Sequence, residues 1–152
     1  MQNEQVKAKI DVEATNEKRI NTKRKNKTFS TSKPEEQANQ LLVEKFEQEN
    51  VLRQYKSQKY PYNCDFYIKS IDTYIECNFH WTHGSHPFDS KNLDDIEQLN
   101  NLKLKKIHQN RKRPGHSNFY ETAIYVWTDL DPKKRQTAKD NNLKYLEFFN
   151  LD

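Results

Sequence analysis

The stretch from Tyr60 to Asp89 constrains the fold most, because acids and histidines stand inside a run that is otherwise aromatic and apolar. On both sides of Lys69 to Asp72 apolar and polar residues alternate, which predicts two antiparallel strands joined by a tight turn. Successive side chains of a strand point to opposite faces, so one face of this hairpin is core and the other is polar. The expected core face carries Cys64, Phe66, Ile68, Ile75, Cys77, Phe79 and Trp81, and the polar face carries Asp65, Glu76, Asn78 and His80.

The register of the hairpin sets two acids against each other. If the loop is centred on Ser70 and Ile71, any even loop length pairs the same residues. Asp65 then lies directly opposite Glu76, with Cβ atoms about 5 Å apart, where like charges destabilise the pair. Such a pair on a half-buried face either keeps one carboxyl protonated or holds a cation. A divalent metal ion is the simplest account.

Length and composition limit the class of protein. A chain of 152 residues fits one domain with a single modest core. Its 33% hydrophobic and 32% charged residues predict that part of the chain is solvated or rests on a charged partner. The net charge of +4 favours a polyanion as the binding partner. The sequence has no signal peptide, long apolar run or lipidation motif, so we expect a cytoplasmic protein that does not engage a membrane.

Zinc is expected neither at the cysteines nor at the loop histidines. Cys64 and Cys77 lie on the expected core faces of adjacent strands without a CxxC spacing, which predicts buried reduced thiols. The loop after the hairpin has a histidine at every third position, a spacing that does not converge on an irregular loop as HExxH does on a helix. The residues concerned are His80, His83 and His86, followed by Asp89.

Two segments concentrate positive charge. Residues 1–31 are basic and poor in apolar residues, so we expect a frayed helix, a disordered tail, or an arm that contacts phosphates. Lys103 to Arg113 accumulates cations without an acid and is either a solvated helix end or a contact to the phosphate backbone. The candidate DNA contacts are Lys23, Arg24, Lys25, Lys103, Lys105, Lys106, Arg111, Lys112 and Arg113.

Residues 32–152 are expected to form an α/β domain with a small mixed sheet flanked by helices. Ser32 begins the first helix, and Glu35 closes a capping box three residues later. The expected elements are a helix from Ser32 to about Gln48, a strand at Val51 to Tyr55, the hairpin, helices at Leu93 to His108 (capped by Ser90), Ser117 to Trp127 and from Asp131, and a strand at Leu143 to Phe149. The expected core residues of the later helices are Leu93, Ile96, Leu99, Leu104, Ile107, Phe119, Ala123, Val126 and Trp127.

The motifs SKPE with paired leucines after it, CDFYI, DTYIECN and WTHG carry a family resemblance. A helix with Glu35, a strand with Asp65 and a strand with Glu76 to Asn78 resemble the core of the PD-(D/E)xK nuclease superfamily. The motifs are similar to those of very-short-patch-repair endonucleases and of phage and intron homing endonucleases of the EDxHD type. The resemblance covers roughly Thr31 to Phe149 and implies a restriction-endonuclease-like fold.

The resemblance implies a divalent-metal-dependent endodeoxyribonuclease of a phage or mobile element, acting on double-stranded DNA, with a homodimer as one possible assembly. Asp65 and Glu76 would bind Mg²⁺ or Mn²⁺, and His83 would be the general base or acid. Asn78 stands where lysine is usual, so another group must stabilise the developing charge. Repair enzymes have a histidine where Glu76 stands and a zinc site that this chain lacks, so homing relatives fit better. The implied site is Glu35, Asp65, Glu76, Asn78, His83, His86 and Asp89.

Two other functions stay open. A nuclease fold can bind DNA without cleaving it, which Asn78 favours, and a metal-dependent cleavage assay separates that function from an active enzyme. The chain could also be a partner-binding phage protein whose acids only face solvent. Among the loop histidines, His83 is preferred because Trp81 is expected to anchor the loop in the core and Gly84 lets the backbone turn back.

Overall fold

The structure, a computed structural model, describes residues 32–152 together with Thr15 and Lys18. The basic arm predicted at residues 1–31, with Lys23, Arg24 and Lys25, therefore lies outside the described residues except at those two positions. The fold is α/β, with a small mixed four-stranded sheet and helices, as predicted. Among the residues described, no helix is long and apolar enough to cross a membrane.

The predicted order of elements is confirmed from the first helix to the last strand. The elements are α1 (Lys33–Phe46), β1 (Val51–Tyr55), β2 (Cys64–Ile68), β3 (Thr73–Cys77), α2 (Leu93–Lys112), α3 (Phe119–Tyr125), α4 (Asp131–Asp140) and β4 (Lys144–Phe148). They fall into two compact units. The first unit holds the described residues up to Glu76 with Leu143–Leu146, and the second holds Cys77–Asn142 with Glu147–Asp152.

The helix α1 begins as its sequence predicts. Ser32 Oγ accepts the N–H of Glu35 at 3.4 Å, and Pro34 lies in the first turn, where a missing N–H costs nothing. The Glu35 carboxylate instead lies 3.5 Å from Arg53 of β1. The capping motif therefore leaves this acid available for other contacts in the first unit.

The sheet has the strand order β1-β2-β3-β4, and both β1–β2 and β2–β3 are antiparallel. The predicted hairpin register is confirmed, because Phe66 pairs with Ile75 and Ile68 with Thr73. The connection is a four-residue loop rather than a two-residue one. It consists of a 3-10 turn, Lys69–Ile71, followed by Asp72 in the left-handed region at φ 48°. The centre of the loop is unchanged, which is why the pairing is unchanged.

The strand β3 is buried on both of its faces, unlike the half-exposed strand that its alternation indicates. Thr73, Tyr74, Ile75 and Glu76 are all buried, because β3 is a central strand between β2 and β4. On β2 the prediction holds, since Cys64, Phe66 and Ile68 have no exposed surface. Both cysteines are free thiols as predicted, but Cys77 is only partly buried.

The helix α2 differs from its prediction at both ends and in the face it buries. Asn92, not Ser90, is its N-cap, and its side chain accepts the N–H of Asp94 at 2.9 Å. The buried residue is Asp95. The predicted core positions Leu93, Leu104 and Ile107 are exposed, so that prediction was wrong. The helix turns its Asp95 side inward because this carboxylate bonds to the loop that precedes it.

The chain stays helical from α3 into α4 through a π-helical turn, Val126–Leu130. Pro132, at the start of α4, has no N–H to bond back along the helix, and Thr128 Oγ1 bonds to the Ile124 carbonyl at 2.7 Å. Both features favour a wider turn at this point. Trp127 is fully buried as predicted, whereas Phe119 is 68% exposed against the prediction.

Candidate active site

Asp65 lies at an interruption of the sheet. In the β1–β2 register, Arg53 pairs with Phe66 and Tyr55 with Cys64, which leaves Gln54 opposite Asp65. Gln54 is in the left-handed region at φ 51°, a conformation that costs a non-glycine residue about 1 kcal/mol or more. Residues held in such sparsely populated conformations cluster at active sites. The observed β2–β3 pairs end at Phe66 and Ile75, and one further step in the same register would set Asp65 opposite Glu76.

Glu76 is only 2% exposed, which is unusual for a carboxylate. Its Oε1 accepts the hydroxyl of Tyr60 at 2.6 Å, in the short range of charge-assisted bonds. Burial, followed by the negative charge of Glu76, raises the pKa of Tyr60, so the hydroxyl stays a donor. Burial also raises the pKa of the Cys64 thiol, and the charges of Glu76 and Asp65 add to this effect. The two acids therefore act on one region of the first unit.

Glu35 belongs to the same electrostatic environment. Burial raises the pKa of Glu35, the Arg53 guanidinium opposes the shift, and the charges of Glu36 and Glu76 add to it. Arg53 is itself buried and forms an ion pair with Glu36 at 2.9 Å as well as with Glu35 at 3.5 Å. The carboxylates of Glu35 and Glu36 on α1 therefore lie beside the buried Arg53. The charge of Glu76 on β3 also acts on Glu35.

The chemistry of these donors fits a small hard cation. Mg²⁺ prefers oxygen ligands and is commonly held by one or two carboxylates together with water and substrate phosphate. Asp65 and Glu76 supply such a pair, and a carboxylate oxygen that accepts the Tyr60 hydroxyl retains capacity for a second partner. Within residues 32–152, no group of three or more His, Cys, Asp or Glu side chains is arranged to hold a metal ion.

Asn78, which the resemblance alone places at a lysine position, belongs to the second unit and takes part in a series of polar contacts there. It is buried, and its Nδ2 donates to Glu147 Oε1 at 2.8 Å. The other oxygen of Glu147 accepts from Arg135 Nε at 2.6 Å. The backbone N–H of Asn78 donates to the Phe148 carbonyl at 2.7 Å. A cation is therefore present in this chain of contacts, but it is Arg135 of α4 rather than a lysine at position 78.

The WTHG loop is anchored by a different tryptophan from the one expected. Trp81 is 49% exposed, so its predicted role as a core anchor was wrong. The buried Trp127 fills that role, since its indole Nε1–H donates to the His86 carbonyl at 2.8 Å. Gly84 has φ 70°, and a Cβ there would overlap the Trp127 ring. Glycine is required at position 84 both for the turn and for this close packing.

His83 forms a buried acid pair that the sequence did not indicate. Its Nδ1 lies 2.7 Å from Oδ2 of Asp131, the first residue of α4. Asp131 is only 1% exposed. A carboxylate at this distance accepts Nδ1–H and so leaves Nε2 as the basic nitrogen. In the described part of the chain nothing bonds to Nε2 of His83, whose side chain is partly exposed. An oriented imidazole of this kind suits proton transfer.

His86 and Asp89 serve the loop itself. His86 Nε2 lies 2.6 Å from Oδ1 of the buried Asp95, and the Asp89 backbone N–H donates to Asp95 Oδ2 at 2.8 Å. Burial alone would raise the pKa of Asp95, but the bonds from Asp89 and His86 hold it below its ordinary 3.8. His80 caps the turn at Trp81–His83 through Thr82. Among the three histidines, the contacts favour His83 for chemistry.

We expect Asp95→Asn to lower the free energy of unfolding by about 3 kcal/mol at neutral pH, the usual cost of breaking a buried charged contact. Because the folded state depresses the pKa of Asp95, its contribution is present above pH 3.8 and is lost as the pH falls through the folded-state pKa. Urea unfolding at neutral and acidic pH measures the difference, which should shrink in acid.

The neighbouring exposed acid provides the control for this prediction. Asp94→Asn changes the same charge on the same turn of α2, without burial, and should alter stability by well under about 1 kcal/mol. Equal decreases in the two variants would show that Asp95 contributes only a helix-terminus charge.

The basic segment of α2 is largely solvated. The side chains at its end are exposed, whereas Lys106 forms an ion pair with Glu121 at 2.7 Å and is less available to a partner. The exposed candidates are Lys103, Lys105, Arg111, Lys112 and Arg113.

Comparison of the chain with protein-family models, curated proteins and solved structures finds no match. The functional inference therefore rests on the contacts within the chain.

Proposed function

We propose that the chain is a divalent-metal-dependent endodeoxyribonuclease of the homing type, with Asp65 and Glu76 as its metal ligands. The observation that carries the proposal is an acidic cluster of the first unit, in which Glu76 is buried and Glu35 and Asp65 are partly buried. Glu76 is buried on a central strand, its charge acts on Glu35, and one further step in the observed register would set Asp65 opposite it. Placing several carboxylates together at buried and partly buried positions is costly unless a cation or a protein donor compensates.

The roles divide among the residues according to their contacts. When bound, Mg²⁺ would polarise the scissile phosphate and lower the pKa of a bound water. Tyr60 fixes the orientation of the Glu76 carboxylate through its hydroxyl, and Arg53 compensates the negative charge of Glu35. In the second unit, we propose that His83 moves the proton at Nε2 while Asp131 holds its ring. His86 and Asp89 position the loop that carries His83.

A DNA-binding protein without cleavage activity is the second candidate, and a specific observation favours it. Arg53 already gives Glu35 and Glu36 a positive partner, and Tyr60 already donates to Glu76. These internal partners offset part of the cost of burying the acids without a metal ion. The polar contact of Asn78 with Glu147 is also structural and needs no catalytic role.

Cleavage of a supercoiled plasmid separates the two candidates. The active enzyme should convert the plasmid to nicked or linear DNA in Mg²⁺ or Mn²⁺ and should lose this activity in EDTA. The non-cleaving protein should retard the same DNA in a gel with no change in its topology. Ca²⁺ is the matched control, because it occupies oxygen sites but is flexible in geometry and supports binding better than chemistry.

The basic end of α2 is expected to contact backbone phosphates. Replacing Arg111, Lys112 and Arg113 together by Gln should flatten the plot of log affinity against log salt by about one unit for each phosphate that the variant no longer neutralises. Affinity should fall alike for all DNA sequences, since phosphate contacts carry no sequence information. Fluorescence anisotropy in EDTA across a range of salt concentrations measures the slope.

The control removes the same charge elsewhere. Lys33, Lys45 and Lys56 are exposed in the first unit, and changing them to Gln lowers the net charge equally. This variant should keep the original slope. Identical slopes in both triple variants would mean that the end of α2 is a solvated surface and not a DNA contact.

A further inference from the structure

The second unit contains an open groove that neither the acidic cluster nor the His83 pair uses. It has a volume of about 910 Å³ and runs between α2, the turn Trp81–His83 and the start of α3. Its floor and walls combine exposed aromatic rings with basic side chains. The lining residues that matter are Trp81, Phe119, Tyr120, Lys105, His108 and Lys112.

Two of the aromatic residues in the groove expose about half or more of their surface. Trp81 is 49% and Phe119 is 68% exposed, and the Trp81 and Tyr120 ring centroids lie 5.9 Å apart. Lys105 Nζ lies 5.9 Å from the centroid of the Tyr120 ring. Large rings placed side by side in a groove offer flat apolar faces, and a nearby ammonium supplies a positive charge at the same place.

The charges of the groove favour a nucleic acid over a protein. Of the described residues lining it, Lys105 and Lys112 are cations and none is an acid. Lysine is depleted at the centre of protein–protein interfaces, whereas a groove that follows a phosphate backbone requires it. Aromatic rings can stack on a base only when the face of that base is free, which excludes bases inside an intact duplex.

We infer that this groove binds an unpaired nucleotide, with the base stacked on Trp81 and Phe119 and the phosphates near Lys105 and Lys112. The inference deepens the proposed function, on which it rests, by naming a single-stranded or extrahelical element of the DNA substrate. Trp81 and His83 belong to one 3-10 turn, so a nucleotide held by Trp81 lies at the turn that carries the proposed proton-transfer residue.

The test measures binding in EDTA, so that its result does not depend on cleavage. Full-length protein is titrated into a labelled oligothymidylate of about 12 nucleotides, a length within the site sizes of single-strand binding folds. We expect Trp81→Ala and Phe119→Ala each to weaken binding by about tenfold to hundredfold, the range for removal of one stacked base. Tryptophan fluorescence should be quenched on binding, because Trp81 is exposed and Trp127 is fully buried.

The control is Tyr125→Ala, which removes an exposed aromatic side chain from the same helix but outside the groove. It should leave the affinity for the oligothymidylate within about twofold. Equal affinity in all three variants overturns the inference, and so does an equal decrease for single-stranded and fully paired DNA. A change in sedimentation on Trp81→Ala without a change in DNA affinity also overturns it, because the groove would then hold a second copy of the chain. Stacking that persists without any Mg²⁺-dependent cleavage would refute the proposed function alone.

Discussion

Asp65→Asn should lower the rate of Mg²⁺-dependent cleavage by about a thousandfold. Metal ions stabilise developing charge by several kcal/mol, and each 1.4 kcal/mol corresponds to a factor of ten in rate. Asn has the size of Asp but supplies a neutral oxygen, so the side chain at the sheet interruption keeps its volume. Single-turnover cleavage of a plasmid measures the rate, and thermal unfolding with and without Mg²⁺ measures metal binding. The melting temperature of the unaltered chain should rise with Mg²⁺, and that of Asp65→Asn should not.

The matched control for this variant is Asp72→Asn in the same hairpin. Asp72 is exposed in the turn and accepts a hydrogen bond from the hydroxyl of Tyr67 at 2.7 Å, a bond that Asn can also accept. The Asp72→Asn variant should cleave at the original rate and keep the Mg²⁺-dependent rise in melting temperature. If Asp65→Asn cleaves within about threefold of the unaltered chain, its carboxylate is not a metal ligand and the proposed site is wrong.

His83→Ala should lower the cleavage rate by about a hundredfold or more while leaving the fold and DNA binding intact, the usual effect of removing a general acid or base. The His83 pair with Asp131 supports this expectation, because the buried carboxylate fixes the ring and leaves Nε2 to exchange the proton. Added imidazole should restore part of the rate in His83→Ala. A residue with only a structural role would show no such rescue.

His116→Ala is the control, since His116 is exposed on a turn outside the loop. This variant should cleave DNA at the normal rate. His86→Ala should behave differently from both, because it removes a partner of Asp95 and so lowers stability. Normal cleavage by folded His83→Ala would transfer the proton-transfer role to another group. Activity that disappears only together with the folded state would assign His83 to the structure of its loop.

The hairpin register could be predicted because it depends on local rules. Alternation fixes which residues share a face, and any even loop with the same centre pairs the same residues, so the four-residue loop changed nothing. The burial of Glu76 could not be predicted in this way. It depends on β4, which joins the sheet from the far end of the chain and makes β3 a central strand.

The partners of the predicted site residues were missed for a related reason. Asp95 and Asp131 read as ordinary acids in the first turn of a helix, and nothing local marks their bonds to His86 and His83. Arg53 and Tyr60 likewise contact Glu35 and Glu76 from other strands and loops. These contacts, like the Arg135–Glu147 pair, join residues from different elements. Periodicity and capping rules describe neighbours within one element and so cannot predict them.

The exposure of Trp81 shows a further limit of sequence patterns. Its strand position and apolar character favour burial, but Trp127 occupies the space behind the loop and packs against Gly84. Only one of two tryptophans can fill that space. The sequence predicts that an aromatic anchor is needed and cannot say which residue supplies it.

The central claim is that Asp65 and Glu76 hold a divalent metal ion. A crystal structure of the chain grown with Mn²⁺, with anomalous scattering recorded, tests it directly. We predict an anomalous peak that marks an ion about 2.1 Å from one oxygen of each carboxylate, the distance typical of small divalent ions with oxygen ligands. Carboxylates separated by more than about 8 Å, or close together with no peak between them, would contradict the claim.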